Sequence, residues 1–370
     1  MDKIKRIVLA CVSTSICNFR CNFCYLTHRS EYFKGEQANF LYPPEYIGKA
    51  FSKERLGGVS FFNFCAEGET LLTNHIDEYI YEIVKQGHYA EIVTNMVITP
   101  MLNKILAWDK ELLERVAFKC SFHYLELKKR GLLDTFAHNV NSAWRAGASA
   151  SIEITPPDEL IPFIDEIKTY SLQNFGALPQ LTIARNDATK GIEYLTNLSP
   201  NEYGEVWGTF KSPFFDFKRS IFKVKRKEYC YAGMYSIVVN FANGETGQCY
   251  KSNYFQNIYT DLNKPIDFVP IGHCKEPHCI NGHAMLTFGN IPHKFTETKY
   301  GNDIRNRVKS DGGNWLQPKL LAFFNSKLYE SNPKISASKK VKYYIKSKTG
   351  YYQHINKRIL MKIKKACIKK

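Results

Sequence analysis

The stretch Ile7-Val-Leu-Ala-Cys-Val12-Ser-Thr-Ser-Ile-Cys17-Asn-Phe-Arg-Cys21-Asn-Phe-Cys24 decides how the rest of the chain is read. Its first part, Ile7–Val12, is a short apolar run of the kind that forms a strand buried on both faces. Three cysteines follow it directly, spaced Cys-x3-Cys-x2-Cys. Thiolates are the usual ligands of iron–sulfur clusters. Three of them on one loop can hold three irons of a cubane and leave the fourth open to a small molecule. The residues alone also permit a zinc site completed by a further ligand such as His28, or buried structural cysteines.

Outward from this stretch, short apolar runs recur at Val59–Phe64, Glu91–Thr94, Ala117–Ser121, Ser149–Ile154 and Gln180–Ala184. Helix-compatible segments lie between them. In Asn74–Gly87, Ile76, Tyr79, Ile80, Ile83 and Val84 fall at helical spacing. Leu160–Leu172 is opened by Thr155-Pro-Pro-Asp-Glu159, a helix start. Strands alternating with helices predict an α/β fold with a parallel sheet. Six such units suit a partial (β/α)6 TIM-like barrel, since a full eight-stranded barrel takes about 250 residues. After residue 200 the texture changes. Residues 201–227 are aromatic and basic, a connecting segment. Tyr235–Phe241 and Glu245–Tyr250 then read as a hairpin about Asn243-Gly244. Symmetric pairing about that turn places Cys249 near Val238. The expected domains are a core at 1–200, a small cysteine-bearing α+β domain at 228–292, and a C-terminal helical region with a basic tail at 293–370.

The chain has 370 residues, 44% of them hydrophobic, enough for a sizeable core. Its eleven cysteines are odd in number and sit in a long chain, which speaks against a secreted disulfide framework. No secretory leader and no apolar run of about 18 residues is present, so the expected location is cytoplasmic. The net charge of +16 is uneven. Residues 331–370 hold 13 Lys or Arg and no acidic residue, which leaves 38 basic against 35 acidic side chains elsewhere. Within that tail, His354–Lys370 carries Ile355, Ile359, Leu360, Ile363 and Cys367 at near-helical spacing. A basic amphipathic helix of this kind lies on anionic membranes, which makes the inner membrane face a candidate peripheral site. The tail lacks an arginine-rich, aromatic-interleaved face, which weighs against nucleic acid as a partner. A solvated tail is the plainer alternative.

The Cys17-x3-Cys21-Asn-Phe23-Cys24 loop after the first strand resembles the signature of the radical SAM (S-adenosylmethionine) superfamily, with Phe23 as its aromatic residue. Cys65-Ala-Glu67-Gly68-Glu69 is similar to the family's Gly-Gly-Glu segment, with Glu67 in place of the first glycine. Thr94-Asn95-Met96 is similar to its Thr-Asn-Gly, with Met96 in place of the glycine. The resemblance implies a [4Fe–4S] cluster on Cys17, Cys21 and Cys24. It also implies SAM contacts from Gly68, Glu69, Asn95, Ser121, Glu153 and Arg185. The activity implied is reductive cleavage of SAM to a 5′-deoxyadenosyl radical, fed by a flavodoxin- or ferredoxin-type electron donor.

Cys230, Cys249, Cys274 and Cys279 make a second group. Four thiolates suffice for a second cluster, and Cys230-x13-Gly244-x4-Cys249 resembles the auxiliary-cluster domains called SPASM and twitch. A four-thiolate zinc site is the alternative. The segment Ser121-Phe-His123-Tyr124-Leu-Glu126 supplies candidate acid, base or hydrogen-donor groups in His123, Tyr124 and Glu126. Cys11, Cys65 and Cys120 read as small core residues. The substrate expected from the tail, and from a looser similarity to proteins of polysaccharide gene loci, is a sugar or lipid-linked glycan intermediate. Peptide modification, by similarity to auxiliary-cluster relatives, is the alternative enzyme. A non-catalytic iron–sulfur binding protein is the alternative outside catalysis.

Overall fold

The computed structural model describes residues 2–24, 35–188 and 191–346. His28, the amphipathic segment His354–Lys370 and Cys367 therefore lie outside the described residues. Six parallel strands form the centre: β1 (Arg6–Val12), β2 (Ser60–Ala66), β3 (Tyr89–Thr94), β4 (Val116–Ser121), β5 (Ser149–Ile154) and β6 (Gln180–Leu181). They pair in sequence order, β1 through β6. The α/β class with a parallel sheet is as expected. β6 is shorter than its apolar run because its partner β5 ends at Ile154, opposite Leu181, and Ser212 closes its outer side. The Ser212 hydroxyl accepts from the Leu181 N–H at 3.0 Å and donates to Gln180 Oε1 at 2.7 Å. Arg185, expected on this strand, instead begins a separate hairpin of β7 (Arg185–Asn186) with β8 (Glu193–Tyr194).

The helix expected over 74–87 spans Ile76–Lys85. The one expected from 160 begins as a 3-10 turn, Asp158–Phe163, and becomes α-helical at Ile164–Phe175. Pro162 lies in that turn, where its missing N–H is tolerated better than inside an α-helix.

The later strands are β9 (Tyr229–Cys230), β10 (Ser236–Asn240), β11 (Glu245–Gly247), β12 (Tyr254–Asn257) and β13 (Gly272–His273). β10 lies parallel beside β1, with Leu9 opposite Val238. The hairpin therefore extends the central sheet to nine strands among the described residues, in the order β12-β11-β10-β1-β2-β3-β4-β5-β6. Its loop is longer than a two-residue Asn-Gly turn. β10 ends at Asn240 and β11 starts at Glu245, so Val238 pairs with Gly247 rather than lying near Cys249. Gly244 takes φ +79°, and a Cβ there would meet the Tyr259 ring at 2.4 Å.

The two faces of the sheet are covered differently. On one, Val8, Ala10, Phe62, Phe64, Ile92 and Phe118 pack on the helices that follow β2 to β5. On the other, Ile7, Leu9, Phe61, Tyr89 and Ala117 are covered by C-terminal residues, among them Phe288, Tyr300 and Phe324. The strands are thus buried on both faces, which is why they read as apolar runs. Among the described residues no helix is long and apolar enough to cross a membrane.

His88, at the entry to β3, is fully buried. Its Nδ1 accepts from the Ser60 N–H at 3.1 Å and its Nε2 donates to the Phe51 carbonyl at 2.7 Å. Burial lowers its pKa to about 4. The unfolded chain takes up a proton near pH 6.5, before the folded one does, so stability is lost as pH falls from about 6.5 toward 4. The loss attributable to His88 approaches about 3 kcal/mol. Denaturant unfolding at pH 7 and pH 5 should show a smaller acid loss for His88→Gln than for the wild type.

Candidate active site

The C-terminal ends of β1, β2 and β3 are stitched to the cysteine loop by backbone and carboxylate hydrogen bonds. The Gly68 N–H donates to the Thr14 carbonyl at 2.9 Å, and the Glu69 N–H to the Ile16 carbonyl at 2.8 Å. A Cβ on Gly68 would lie 2.0 Å from the Ile16 oxygen, so only glycine lets the loop approach this closely. The Glu69 carboxylate is buried and accepts from the Leu71 N–H at 3.0 Å, the Thr94 hydroxyl at 2.7 Å and the Asn95 N–H at 2.7 Å. Burial raises its pKa, and these three donors oppose the rise. Three of its roughly four lone-pair positions are thus taken by the protein. Glu69 clamps β2 to β3 and keeps about one acceptor position for a ligand. The Asn95 amide reaches Asn18 Oδ1 in the cysteine loop at 2.7 Å.

Met96 has φ +61°, the left-handed conformation that glycine adopts freely. A non-glycine residue held there costs about 1–2 kcal/mol. Its side chain is fully buried in the core, which offsets that cost.

Cys17, Cys21 and Cys24 lie together on the loop. The Cys24 N–H donates to the Cys21 carbonyl at 3.1 Å. Burial pushes the Cys17 thiol up to about 11, and Cys24 adds to the rise. Cys21 is raised by burial and by both Cys24 and Cys17. The second group converges through strand pairing. β9 and β13 are antiparallel with Gly272 opposite Cys230, which brings Cys274 near. Burial raises Cys230 to about 12, and Cys249 and Cys274 raise it further. Cys279 is raised well above its ordinary value by burial, then by Cys230, Cys249 and Cys274. The thiols of each group therefore share one electrostatic neighbourhood. No three His, Cys, Asp or Glu groups among the described residues are gathered tightly enough to hold a single metal ion.

The sheet face opposite the helices opens toward this same end. β1 to β4 carry part-exposed residues near their C-termini: Cys11, Asn63, Cys65, Val93, Lys119 and Ser121. Cys11 and Cys65 are register partners here, not core residues like Cys120. Across this face runs a buried ionic network. Arg305 pairs with Glu91 at 3.0 Å and with Glu153 at 2.7 Å. Lys119 pairs with Glu153 at 3.2 Å. The Tyr300 hydroxyl lies 2.8 and 2.9 Å from the two Glu91 oxygens and accepts from Arg305 Nε at 2.9 Å. Tyr300–Arg305 is one π-helical turn, whose i to i+5 spacing brings the two side chains together. Burial acts to raise the Glu153 carboxyl, but Lys119 and Arg305 hold it below the usual range. Glu153, expected to contact SAM, is thus committed to two cations. Ser121, at the end of β4, is half-buried on this face. Arg185 pairs with Asp187 at 3.2 Å and points its Nη1 toward the Ile280 carbonyl beside Cys279.

A cavity of about 130 Å³ sits between the cysteine loop and the ends of β4 and β5, lined by Cys21, Phe23, His123, Tyr124, Glu126 and Thr155. The His123 ring packs against Phe19 and Phe23, with centroids 6.0 and 5.4 Å away. Burial lowers its pKa to about 4, so it is neutral near pH 7. Glu126 accepts from Arg130 Nε at 2.9 Å and from the Arg20 N–H at 3.4 Å, which makes it a tether for the loop. Burial, followed by a hydrogen bond to Glu166 and the charge of that carboxylate, raises the pKa of the Tyr124 hydroxyl.

Lys119, Lys218 and Arg305 were not singled out from the sequence. A lone lysine inside the strand Val116-Ala-Phe-Lys119-Cys-Ser was a signal that could have been used. Lys218 and Arg305 carry no local one, whereas His283, with His273 and His278, stands beside Cys274 and Cys279 and reads from the sequence as an ordinary polar residue near that group.

No protein-family model matches the chain, and no curated protein does. The structure is similar to that of Streptococcus suis SuiB bound to S-adenosylmethionine, with 13% identity over 72% of this chain and 66% of that one, at a TM-score of 0.48. The chain spans just under two thirds of SuiB's length. It is also similar to histidine-tagged anSMEcpe with bound AdoMet, at 14% identity over 70% of this chain and 79% of that one, TM-score 0.49. Native anSMEcpe with bound AdoMet and Cp18Cys peptide matches at 13% identity over 96% and 98% of the two chains, TM-score 0.48.

The Gly68 contact generates a direct test. Gly68→Ala should push the cysteine loop off the end of β2. Iron retained after anaerobic reconstitution should fall well below wild type while the far-ultraviolet circular dichroism is unchanged. A variant that loads iron normally would show that the close approach does not position the cysteines.

Proposed function

We propose that this chain is a radical SAM enzyme carrying two iron–sulfur clusters, with its sheet as the wall of a partial barrel. The observation that carries this reading is the seam at the C-terminal ends of β1, β2 and β3. There the three-cysteine loop, Gly68-Glu69 and Thr94-Asn95 are hydrogen-bonded together beside an open polar concavity. Cys17, Cys21 and Cys24 would hold a [4Fe–4S] cluster with one iron free for SAM, and Cys230, Cys249, Cys274 and Cys279 would hold the second. When bound, the first cluster supplies the electron that cleaves SAM to methionine and a 5′-deoxyadenosyl radical, which takes hydrogen from the substrate.

The protein's own residues bind, orient and exclude water. Glu69 offers its remaining acceptor position, about one lone pair, to the cationic amino group of SAM. Phe23 and His123 wall the cavity beside Cys21 with apolar and neutral surface, which suits a nucleoside ring. Ser121 presents a hydroxyl at the end of β4. Lys119 is held by Glu153 where it lines the open end of the sheet, and Arg305 is held behind it by Glu153 and Glu91. Residues 1–200 would form the core that binds SAM and 228–292 the part that binds the second cluster. The electron donor is of flavodoxin or ferredoxin type. The tail would place the enzyme on an anionic membrane surface, where a sugar or lipid-linked glycan intermediate would be met. A peptide is the other substrate reading.

Reconstituted wild-type protein with SAM and dithionite, under anaerobic conditions, should release 5′-deoxyadenosine. Cys21→Ala should release none. Wild-type protein that loads zinc instead of iron and leaves SAM intact would overturn the reading.

A further inference from the structure

We propose that Lys218, Arg305 Nη2 and His283 Nδ1 form a subsite for an oxyanion, carboxylate or phosphate, carried by the substrate. The inference deepens the proposed function and rests on it for the word substrate.

The concave face holds a dense set of buried charges, and most of them are matched. Arg305 has Glu91 and Glu153, Lys119 has Glu153, and Arg185 has Asp187. Lys218 is the exception. It is only 4% exposed, yet its ammonium makes no hydrogen bond or ion pair among the described residues. Two further nitrogen atoms beside it are also unspent. Arg305 Nη2 and His283 Nδ1 are buried and lack hydrogen-bond partners among the described residues.

The charges of Arg305 and Lys218 both act on His283, which puts the imidazole within reach of each. Phe214 lies between two of them, with its ring 5.1 Å from the His283 ring and 5.4 Å from the Arg305 guanidinium carbon. Lys218 is one turn beyond Phe214 on the helix Pro213–Ile221, hence on the same side of it. The helix is seated firmly against the turn that bears His283, since a Cβ on Gly282 would meet Ile221 Cδ1 at 2.4 Å. His283 is kept well below its ordinary pKa by burial and then by Arg305, Lys218, Lys119 and Arg185. Its ring is therefore neutral and, with Nδ1 unpartnered, can turn an N–H toward a ligand in one of its two tautomers.

Charging a buried, unpaired lysine is costly, and an oxyanion between Lys218, His283 and Arg305 would offset that cost. Low-dielectric walls strengthen the attraction. Burial and then Arg185 lower the Lys218 pKa to about 7, while Cys279 and Glu153 oppose the fall, so Lys218 lies within reach of both the second cysteine group and the sheet, and a bound anion would draw it to its charged form. A substrate anchored there by its anionic group would extend into the concavity.

The test uses reconstituted protein and two probes, inorganic pyrophosphate and acetate, followed by calorimetry and thermal unfolding. One or both should bind at one site per chain and raise Tm. Lys218→Met should weaken that binding by about tenfold or more, while its own unliganded Tm equals or exceeds wild type. Lys218→Arg should keep the binding. Pyrophosphate alone binding points to a phosphate-bearing substrate, and acetate binding to a carboxylate. Binding that survives saturating SAM belongs to the substrate. Binding abolished by SAM would assign the anion to SAM's own carboxylate and overturn the inference. So would no binding of either probe, or binding indifferent to Lys218→Met. SAM affinity, measured separately by equilibrium dialysis, separates failure of the subsite from failure of the radical SAM reading.

Discussion

Everything at the reactive end of this molecule depends on how closely the cysteine loop can lie against the end of β2. The contact between Gly68 and the Ile16 carbonyl sets that approach, and two backbone hydrogen bonds hold it. Glu69 then carries the constraint to β3 through Thr94 and Asn95, and Asn95 returns it to the loop through Asn18. Three strand ends and the start of the cysteine loop are thus joined by one set of hydrogen bonds. Preorganisation of this kind is what positions a reactive group against a substrate without reorganisation during the reaction.

A second constraint works from the opposite side. Arg305 reaches across the concave face to Glu91 on β3 and Glu153 on β5, and Tyr300 completes the Glu91 cage. A buried network of this kind is weak support for stability. It does fix the C-terminal segment against the sheet, and it leaves donors facing the concavity. The strained Met96 turn belongs to the same logic. The chain keeps a left-handed corner where glycine would be easier, and the buried side chain fastens it to the helix layer.

Much of this was legible in the sequence. Strands β1 to β5 announced themselves because burial on both faces makes near-continuous apolar runs. Cys17, Cys21, Cys24, Gly68 and Asn95 were legible as a pattern because the loop and the strand ends are local. The commitment of Glu69 and Glu153 was not, since lone pairs are spent on partners that no spacing reveals. The shortness of β6 follows from where β5 ends, at Ile154 opposite Leu181, and the place of β10 beside β1 joins segments far apart in the chain, Ile7 with Ser236 among them. The Asn243-Gly244 turn was visible, but its loop length set a different register and moved Cys249 away from Val238. Charges at Glu91 and Lys119, alone in apolar strands, were local hints of an ionic interior whose partner Arg305 lies far along the chain.

The central claim is that two thiolate groups hold two clusters, one of them with an iron open to SAM. Iron analysis with electron paramagnetic resonance on reduced, reconstituted protein tests it most directly. The account predicts about eight irons per chain and a reduced-cluster signal that changes when SAM is added, with the change lost in the Cys17, Cys21, Cys24 triple alanine variant. Zinc in place of iron, or a reduced-cluster signal indifferent to SAM, would contradict it.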